Sequence, residues 1–279
     1  MEFQFLLSTK VIMKKGIRFE AGKVLRENLL EHVLIITDRG IKSAGLLEDI
    51  YKSLQDNDIT FDEYYDVKPN PRDTDCDFAA NKFRNKKIEG ILTIGGGSAI
   101  DTAKAISILL ANDGSIKDYE GISVAPIDPL PIISIPTTAG TGSEVTFWSI
   151  ITDTKNEYKM AIGDPRIAPK VALLDTELTA SLPAFIAAST GMDALTHAIE
   201  AYTCKVANPI SDGMALHAIR LICGNLEKAV YGKDNESARE NMLIGSLIAG
   251  IAFGNADTAS VHCVAEAIGG LYDTPHGVA

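Results

Sequence analysis

The sequence predicts an α/β domain followed by an all-helical domain. Over residues 1–182, apolar runs alternate with amphipathic stretches, which is typical of an α/β layer fold. After Pro183, alanine becomes frequent, strand-forming residues become rare and helical periodicity dominates. With 279 residues, of which 46% are hydrophobic, the chain is long and apolar enough for two modest domains. We therefore predict an α/β domain over residues 1–182 and a helical domain over residues 183–279.

The α/β domain is predicted to contain four buried strands and a hairpin. Apolar residues at helical spacing predict one helix over residues 46–54 and another from Ser98 to about Ala111. The hairpin pairs residues 147–152 with residues 158–162 through a polar turn. The four buried strands are expected at residues 33–37, 91–94, 132–135 and 171–175.

The helical domain is predicted to contain four helices. Pro183 is expected in the first turn of the first helix, where a missing backbone N–H costs nothing. The predicted helices cover residues 184–203, 211–229, 237–252 and 260–269.

Composition excludes several classes of function. The formal net charge of −11 argues against a nucleic-acid-binding surface, and no apolar run is long enough to cross a membrane. The four cysteines form no closely spaced pair, which favours reduced thiols in a cytoplasmic protein. The first residues do not resemble a signal peptide, and the end of the sequence at 276–279 leads us to expect a C-terminally truncated chain.

A glycine-rich turn, Gly95-Gly-Gly-Ser98, lies between a predicted strand and a predicted helix. Glycines allow close approach of the backbone to a ligand, and the start of a helix attracts an anion such as a pyrophosphate. Ser98 is expected to cap the helix, with Asp101 as its capping-box partner. The spacing is not the G-x-G-x-x-G of Rossmann folds, and a tight turn without a ligand stays open as an alternative.

Two further segments follow predicted strands. Residues 137–143 form a loop rich in hydroxyls and glycines that is suited to a phosphate or ribose, although it could also be a polar surface turn. Asp38 could accept hydrogen bonds from a ribose diol and would repel a 2′-phosphate, which favours NAD over NADP. A role for Asp38 as a helix N-cap is the alternative.

A metal site is predicted from four residues near the C-terminal end. Asp193 and His197 lie four residues apart and therefore share a helix face, and His262 and His276 follow. Three imidazoles and one carboxylate suit a divalent first-row metal, and the absence of thiolates argues against a structural zinc site. The alternative is that each histidine separately has a structural role.

Four motifs resemble the iron-containing (group III, iron-activated) alcohol dehydrogenases. They lie at residues 94–104, 135–146, 190–202 and 270–277, and the last reads GLYDTPHG. The resemblance implies a dehydroquinate synthase-like superfold, with an N-terminal dinucleotide-binding domain and a helical metal-binding domain. It further implies NAD(P)-dependent conversion between an alcohol and an aldehyde or ketone, and Fe²⁺, sometimes Zn²⁺, at the four predicted ligands. Around the dinucleotide it places Asp38, Asn70, Gly96, Gly97, Ser98, Thr137, Thr138, Thr146 and Lys159, to which we add Asp101.

The chain departs from the family pattern at two positions. Glu266 stands four residues after His262, where relatives often have a second histidine, and Asp257 stands where many have glycine. Helical spacing places Glu266 beside His262, so it is the candidate general base; the alternative is that it orients a metal ligand.

Other functions stay open. Glycerol dehydrogenases and dehydroquinate-synthase-like enzymes share the same kind of glycine loop and metal-binding helices, and a metal-dependent hydrolase could use the same ligands. The expected partners are a small alcohol or aldehyde and, through an N-terminal edge strand, a second copy of the chain in a homodimer or larger homo-oligomer.

Overall fold

The N-terminal part of the chain is built on a six-stranded parallel sheet. The computed structural model describes residues 2–232 and 235–279. The strands run in the spatial order β1-β9-β6-β4-β2-β3, all parallel. The four predicted strands are confirmed as β2, β4, β6 and β9. The N-terminal edge strand, expected without bounds, is β1, and the other edge strand, β3, was not predicted. In chain order the strands are β1 (Lys10–Met13), β2 (His32–Ile36), β3 (Thr60–Tyr64), β4 (Gly90–Gly95), β6 (Ile132–Pro136) and β9 (Val171–Leu174).

Both faces of this sheet are buried, as a parallel sheet requires. Side chains alternate across a strand, so neighbouring residues of β2 enter two different cores. Val33 packs in the core that contains Leu25, and Leu34 packs in the core that contains Phe83. The sheet is covered by α1 (Ala21–Glu27), α2 (Arg39–Ser43), α3 (Glu48–Asp56), α4 (Asp73–Phe83) and α5 (Gly97–Ala111).

A second sheet contains the predicted hairpin. β7 (Trp148–Asp153) pairs antiparallel with β8 (Tyr158–Gly163), and the short β5 (Gly121–Ile122) adds to the other edge of β8. The polar turn lies where the sequence predicted it, so the hairpin is confirmed.

The start of α5 differs from the prediction. Gly96 occupies the N-cap position and the helix begins at Gly97, so Ser98 is already helical and caps nothing. Asp101 is not a capping-box partner: its carboxylate accepts hydrogen bonds from Ser143 Oγ at 2.6 Å and from the Ile150 N–H at 3.1 Å. The glycines let the chain pass directly from β4 into the helix. Because the N-cap residue is a glycine, no side chain caps the helix.

Every element of regular secondary structure that the structure describes after Pro183 is a helix. The predicted fold class is therefore confirmed. Pro183 is the N-cap of the first of them rather than a residue of its first turn. No helix of the described residues is long and apolar enough to cross a membrane. The domain boundary at 182/183 stays a prediction. The four helices are α6 (Ala184–Thr203), α7 (Pro209–Tyr231), α8 (Glu236–Gly254) and α9 (Ser260–Tyr272).

Candidate metal and dinucleotide site

The carboxyl ends of β2, β4 and β6 open into one cleft. Parallel strands place the loops that follow them at the same edge of the sheet, where open α/β sheets bind ligands. Asp38 follows β2, the glycine turn follows β4, and Thr137 and Thr138 follow β6. All of them line a cleft of about 1290 Å³.

The glycine turn brings the backbone to the cleft wall. Gly95 has a φ of +153°, and a Cβ there would lie 2.7 Å from the Cβ of Ala99. No side chain caps α5, so its first N–H groups stay available to an anion. This arrangement suits a pyrophosphate.

Asp38 is confirmed as a helix cap, and its predicted role at a ribose stays a prediction. Its Oδ1 accepts a hydrogen bond from the Ile41 N–H at 2.9 Å and so caps α2. The same side chain lines the cleft, beside the end of β2. A carboxylate in this place is available to a ribose diol while it caps the helix.

The residues predicted around a dinucleotide all face this cleft or the pocket that adjoins it. The pocket has a volume of about 240 Å³. Asn70, Gly97 and Ser98 line both cavities. The remaining predicted residues divide between the cleft, lined by Asp38, Gly96, Thr137 and Thr138, and the pocket, lined by Asp101, Thr146 and Lys159.

The four predicted metal ligands converge where the two cavities meet. One ligand atom from each of Asp193, His197, His262 and His276 lies within 4.8 Å of all the others. From Asp193 Oδ1 the distances are 3.7 Å to His197 Nδ1, 3.7 Å to His262 Nε2 and 3.4 Å to His276 Nε2. Two elements and a loop supply them, since Asp193 and His197 lie on α6, His262 on α9 and His276 after α9.

The electrostatics of this cluster favour an ionised Asp193 beside neutral His197 and His276. Burial alone would raise the pKa of Asp193, but the neighbouring histidines lower it to about 2. Burial lowers the pKa of His197 to about 4 and also lowers the pKa of His276. Burial opposes a charge on His262 too, but the neighbouring carboxylates of Asp193 and Glu200 raise its pKa.

The cluster fits a divalent cation. Two buried ring nitrogens that face Asp193 Oδ1 at 3.7 Å, His197 Nδ1 and His262 Nε2, have no hydrogen-bond partner among the described residues. Buried polar atoms without partners are costly, and a cation in the middle of the cluster would satisfy such nitrogens. The mixed nitrogen and oxygen donors suit iron, zinc or cobalt.

Glu200 was missed by the sequence analysis. Its Oε2 lies 2.5 Å from His262 Nδ1, and its Oε1 accepts a hydrogen bond from the Val261 N–H. This contact leaves Nε2 as the nitrogen that faces Asp193. The spacing of Asp193, His197 and Glu200 at i, i+4 and i+7 places all three on one face of α6 and could have revealed it.

Glu266 lines the smaller pocket but makes no hydrogen bond within the described part of the chain. Burial raises the pKa of its carboxyl, and His262 and Lys159 oppose that shift. The role of orienting His262, which the sequence left open for Glu266, falls geometrically to Glu200. Asp257 also lines this pocket and is exposed.

Polar contacts join the loop that follows α9 and carries His276 (residues 273–276) to the α/β part of the chain. Asn70 Nδ2 donates to Asp273 Oδ1 at 2.9 Å, and its Oδ1 accepts from Lys159 Nζ at 3.0 Å. Arg72 pairs with the other oxygen of Asp273 at 2.8 Å. These contacts hold the loop that carries His276 against the dinucleotide side of the cleft.

Comparison with known proteins identifies relatives over most of the chain. Residues 8–176 match the family described as iron-containing alcohol dehydrogenase, and residues 187–279 match the Fe-containing alcohol dehydrogenase family, C-terminal. The NAD-dependent methanol dehydrogenase of Bacillus methanolicus is 38% identical over 98% of this chain and 72% of its own length. The 1,3-propanediol dehydrogenase of Citrobacter freundii is 43% identical over 88% of this chain and 64% of its own length.

Solved structures agree with these sequence matches. The crystal structure of a 1,3-propanediol oxidoreductase superposes with a TM-score of 0.95 at 38% identity, covering 100% of this chain and 73% of that one. A sulfoacetaldehyde reductase from Bifidobacterium kashiwanohense in complex with NAD⁺ gives a TM-score of 0.91 at 36% identity, covering 99% of this chain and 73% of that one. The chain thus spans about two thirds to three quarters of the length of these relatives. Because the two family descriptions together extend over nearly the whole sequence, and close structural matches cover all of it, the chain belongs to the iron-containing alcohol dehydrogenase family.

Proposed function

We propose that the chain is the catalytic part of a metal-dependent oxidoreductase that transfers a hydride between NAD(H) and a small alcohol or aldehyde. The observation that carries this proposal is the junction of the two cavities. There the buried Asp193 and three histidines lie beside a pocket that opens into the cleft below the glycine turn. An alcohol oxygen and a nicotinamide ring would meet at that junction.

The metal ligands proposed are Asp193, His197, His262 and His276. When bound, the metal polarises the substrate oxygen while the nicotinamide accepts or supplies the hydride. Iron is proposed on the basis of the family, with zinc as the alternative. The set of donors accepts either.

The dinucleotide is proposed to lie across the carboxyl end of the sheet. The N–H groups at the start of α5 would hold the pyrophosphate, with Gly96 and Gly97 allowing close approach. Asp38 would accept hydrogen bonds from the ribose diol, and its charge would oppose a 2′-phosphate. On the pocket side, the nicotinamide end would contact Asn70, Ser98, Asp101, Thr146 and Lys159.

Two groups in the small pocket are proposed to act on the substrate. Glu266 is the candidate to accept or return a proton, because its carboxyl faces the pocket without a hydrogen-bond partner among the described residues. Phe253 stacks on His197 with ring centroids 4.2 Å apart and would exclude water from the reacting atoms.

The assembly and location are also proposals. β1 lies at an edge of the large sheet, so a second copy could pair there in a homodimer. The four cysteines are free, which suits the reducing cytoplasm.

The function is tested by measuring NADH- and NADPH-dependent reduction of a panel of small aldehydes, with the protein reconstituted with Fe²⁺ or Zn²⁺. We expect turnover with NADH that is at least tenfold faster than with NADPH. Metal content and turnover should both be lost in His197→Ala. The control is His217→Ala, which removes an exposed histidine of α7. Activity without a nicotinamide would contradict the proposal and favour a hydrolase.

A further inference from the structure

Lys104, on α5, is fully buried next to the pocket. Its ammonium donates to Ser143 Oγ at 2.7 Å, to Thr146 Oγ1 at 3.3 Å and to the carbonyl oxygen of Trp148 at 2.7 Å. All three acceptors belong to the segment 143–148, and all three residues line the small pocket. A buried ammonium is retained only where acceptors satisfy it, so this segment and the lysine fix each other.

Asp101, one turn before Lys104 on α5, contacts the same segment. It accepts hydrogen bonds from Ser143 Oγ and from the Ile150 N–H, and it lies 3.9 Å from the ammonium. Burial lowers the pKa of Lys104 to about 8, while Asp101 and Glu144 favour its charged form. The pair therefore holds the segment 143–150 against the helix that begins at the glycine turn.

The opposite side of this segment packs against the helical part of the chain. A Cβ on Gly250 of α8 would lie 3.1 Å from Val145 Cγ2 in the segment, and Gly142 just before it has a φ of +61°, where a Cβ would lie 2.5 Å from the Cα of Gly250. The segment is thus confined between α5 and α8.

We propose that Lys104 is a positioning residue for the dinucleotide: its ammonium sets the places of Ser143, Thr146 and Trp148, the wall against which the nicotinamide end would bind. The lysine itself does not line the pocket, so it acts through these residues. This inference rests on the proposed dinucleotide site and assigns a role to a residue outside it.

The test compares three variants of the same chain. Lys104→Met removes the ammonium, and Lys104→Gln keeps a shorter donor. The matched control is Lys117→Met, which removes a lysine that pairs with Asp153 at the far end of β7 and does not line either cavity. The readouts are the Kd for NADH from fluorescence titration, the bound metal, and the emission of Trp148, the only tryptophan of the sequence.

We expect Lys104→Met to raise the Kd for NADH at least tenfold, Lys104→Gln to raise it less, and Lys117→Met to leave it within twofold. Bound metal should be unchanged in all three variants. The emission of Trp148 should shift in the Lys104 variants only, because a purely structural loss of stability would not move it selectively.

A folded Lys104→Met that binds NADH within twofold of the unaltered chain would overturn the inference. So would an equal loss in Lys117→Met, or a failure of both Lys104 variants to fold, since Lys104 would then serve stability alone. If the unaltered chain with metal binds no NADH, the proposed dinucleotide site fails first and this inference fails with it.

Discussion

At the residue scale, Glu200 is a carboxylate outside the proposed set of ligands that orients one of them. It holds His262 through Nδ1, which leaves Nε2 directed at Asp193. Such partners fix the orientation of the imidazole and raise its basicity, and their loss commonly reduces metal affinity by about 10- to 100-fold.

We therefore expect Glu200→Gln to weaken Zn²⁺ binding by about 10-fold or more, because the amide cannot replace the charge of the carboxylate. Titration calorimetry of the metal-free protein with Zn²⁺ measures this. Glu227→Gln, at an exposed position of α7, is the matched control and should bind as the unaltered chain does. Equal affinities in all three proteins would show that Glu200 does not orient the ligand.

Glu144 makes a second prediction at this scale. It is 2% exposed, one of its oxygens has no partner, and burial raises its pKa from 4.5 to about 7. The folded chain therefore binds more protons than the unfolded chain between these two pH values, so stability declines as the pH rises through that window. The group alone costs about 3 kcal/mol at pH 8, at about 1.4 kcal/mol per pKa unit.

Glu144→Gln should remove this decline. Urea unfolding at pH 4.5 and pH 8 is expected to show similar stabilities for the two proteins at the lower pH, and a gain for the variant of about 1–3 kcal/mol at the higher pH. A difference between the two proteins that does not depend on pH would mean that the pKa of Glu144 is not raised in the folded chain.

At the element scale, the buried strands and most of the long helices could be predicted from sequence, whereas the edge strand β3 and the helix α4 could not. β2, β4, β6 and β9 are continuous apolar runs, which only a fully buried strand explains well. β3 reads TFDEY, because an edge strand pairs on one side only and tolerates charge. α4 buries only a short stripe of small residues and Phe83, so its helical period was weak.

The residues of the candidate site also differ in how far the sequence could predict them. The four ligands could be predicted because their chemistry and spacing are visible in the sequence. The spacing on α6 could have indicated Glu200 but not its partner His262, and Lys104 could not be predicted, since its role depends on which neighbours the fold brings to it. The error at Asp101 has the same origin: its partners Ser143 and Ile150 lie far along the chain.

The close packing of the loop 140–146 against α8 predicts how glycine substitutions change the stability of the chain. Gly142→Ala would place a methyl group against the backbone of Gly250 at a positive φ. We expect a loss of at least about 2 kcal/mol of unfolding free energy, from backbone strain and the clash together. Gly213→Ala is the control, because a methyl group there meets open space on α7. It should stabilise the chain by about 0.5–1 kcal/mol.

Thermal or urea unfolding measures both glycine variants. If Gly142→Ala is as stable as the unaltered chain, the close contact between the loop and α8 is wrong.

At the scale of the whole molecule, the proposed metal site joins α6 to α9, two helices that are also linked by the contacts of Glu200 with Val261 and His262. α6 packs with α7 and α8, whereas α9 lies against β8, where a Cβ on Gly270 would come within 2.9 Å of the Cα of Tyr158. Asp193 and His197 come from the first group and His262 from the second. A bound cation would therefore hold the two groups together.

It follows that the metal should stabilise the folded chain. At a free concentration 100 times the Kd, one site adds about 2.7 kcal/mol to the free energy of unfolding. We expect Zn²⁺ to raise the melting temperature of the unaltered chain and of His217→Ala by several degrees, and to leave His197→Ala unchanged. A rise of the same size in His197→Ala would place the metal elsewhere.

The most direct test is to locate the metal by anomalous diffraction at the iron or zinc absorption edge, using crystals grown with that metal. We predict one strong peak within coordination distance of Asp193, His197, His262 and His276, at the junction of the cleft and the small pocket. A peak bound by other residues, or none at these four in crystals that contain the metal, would contradict the account.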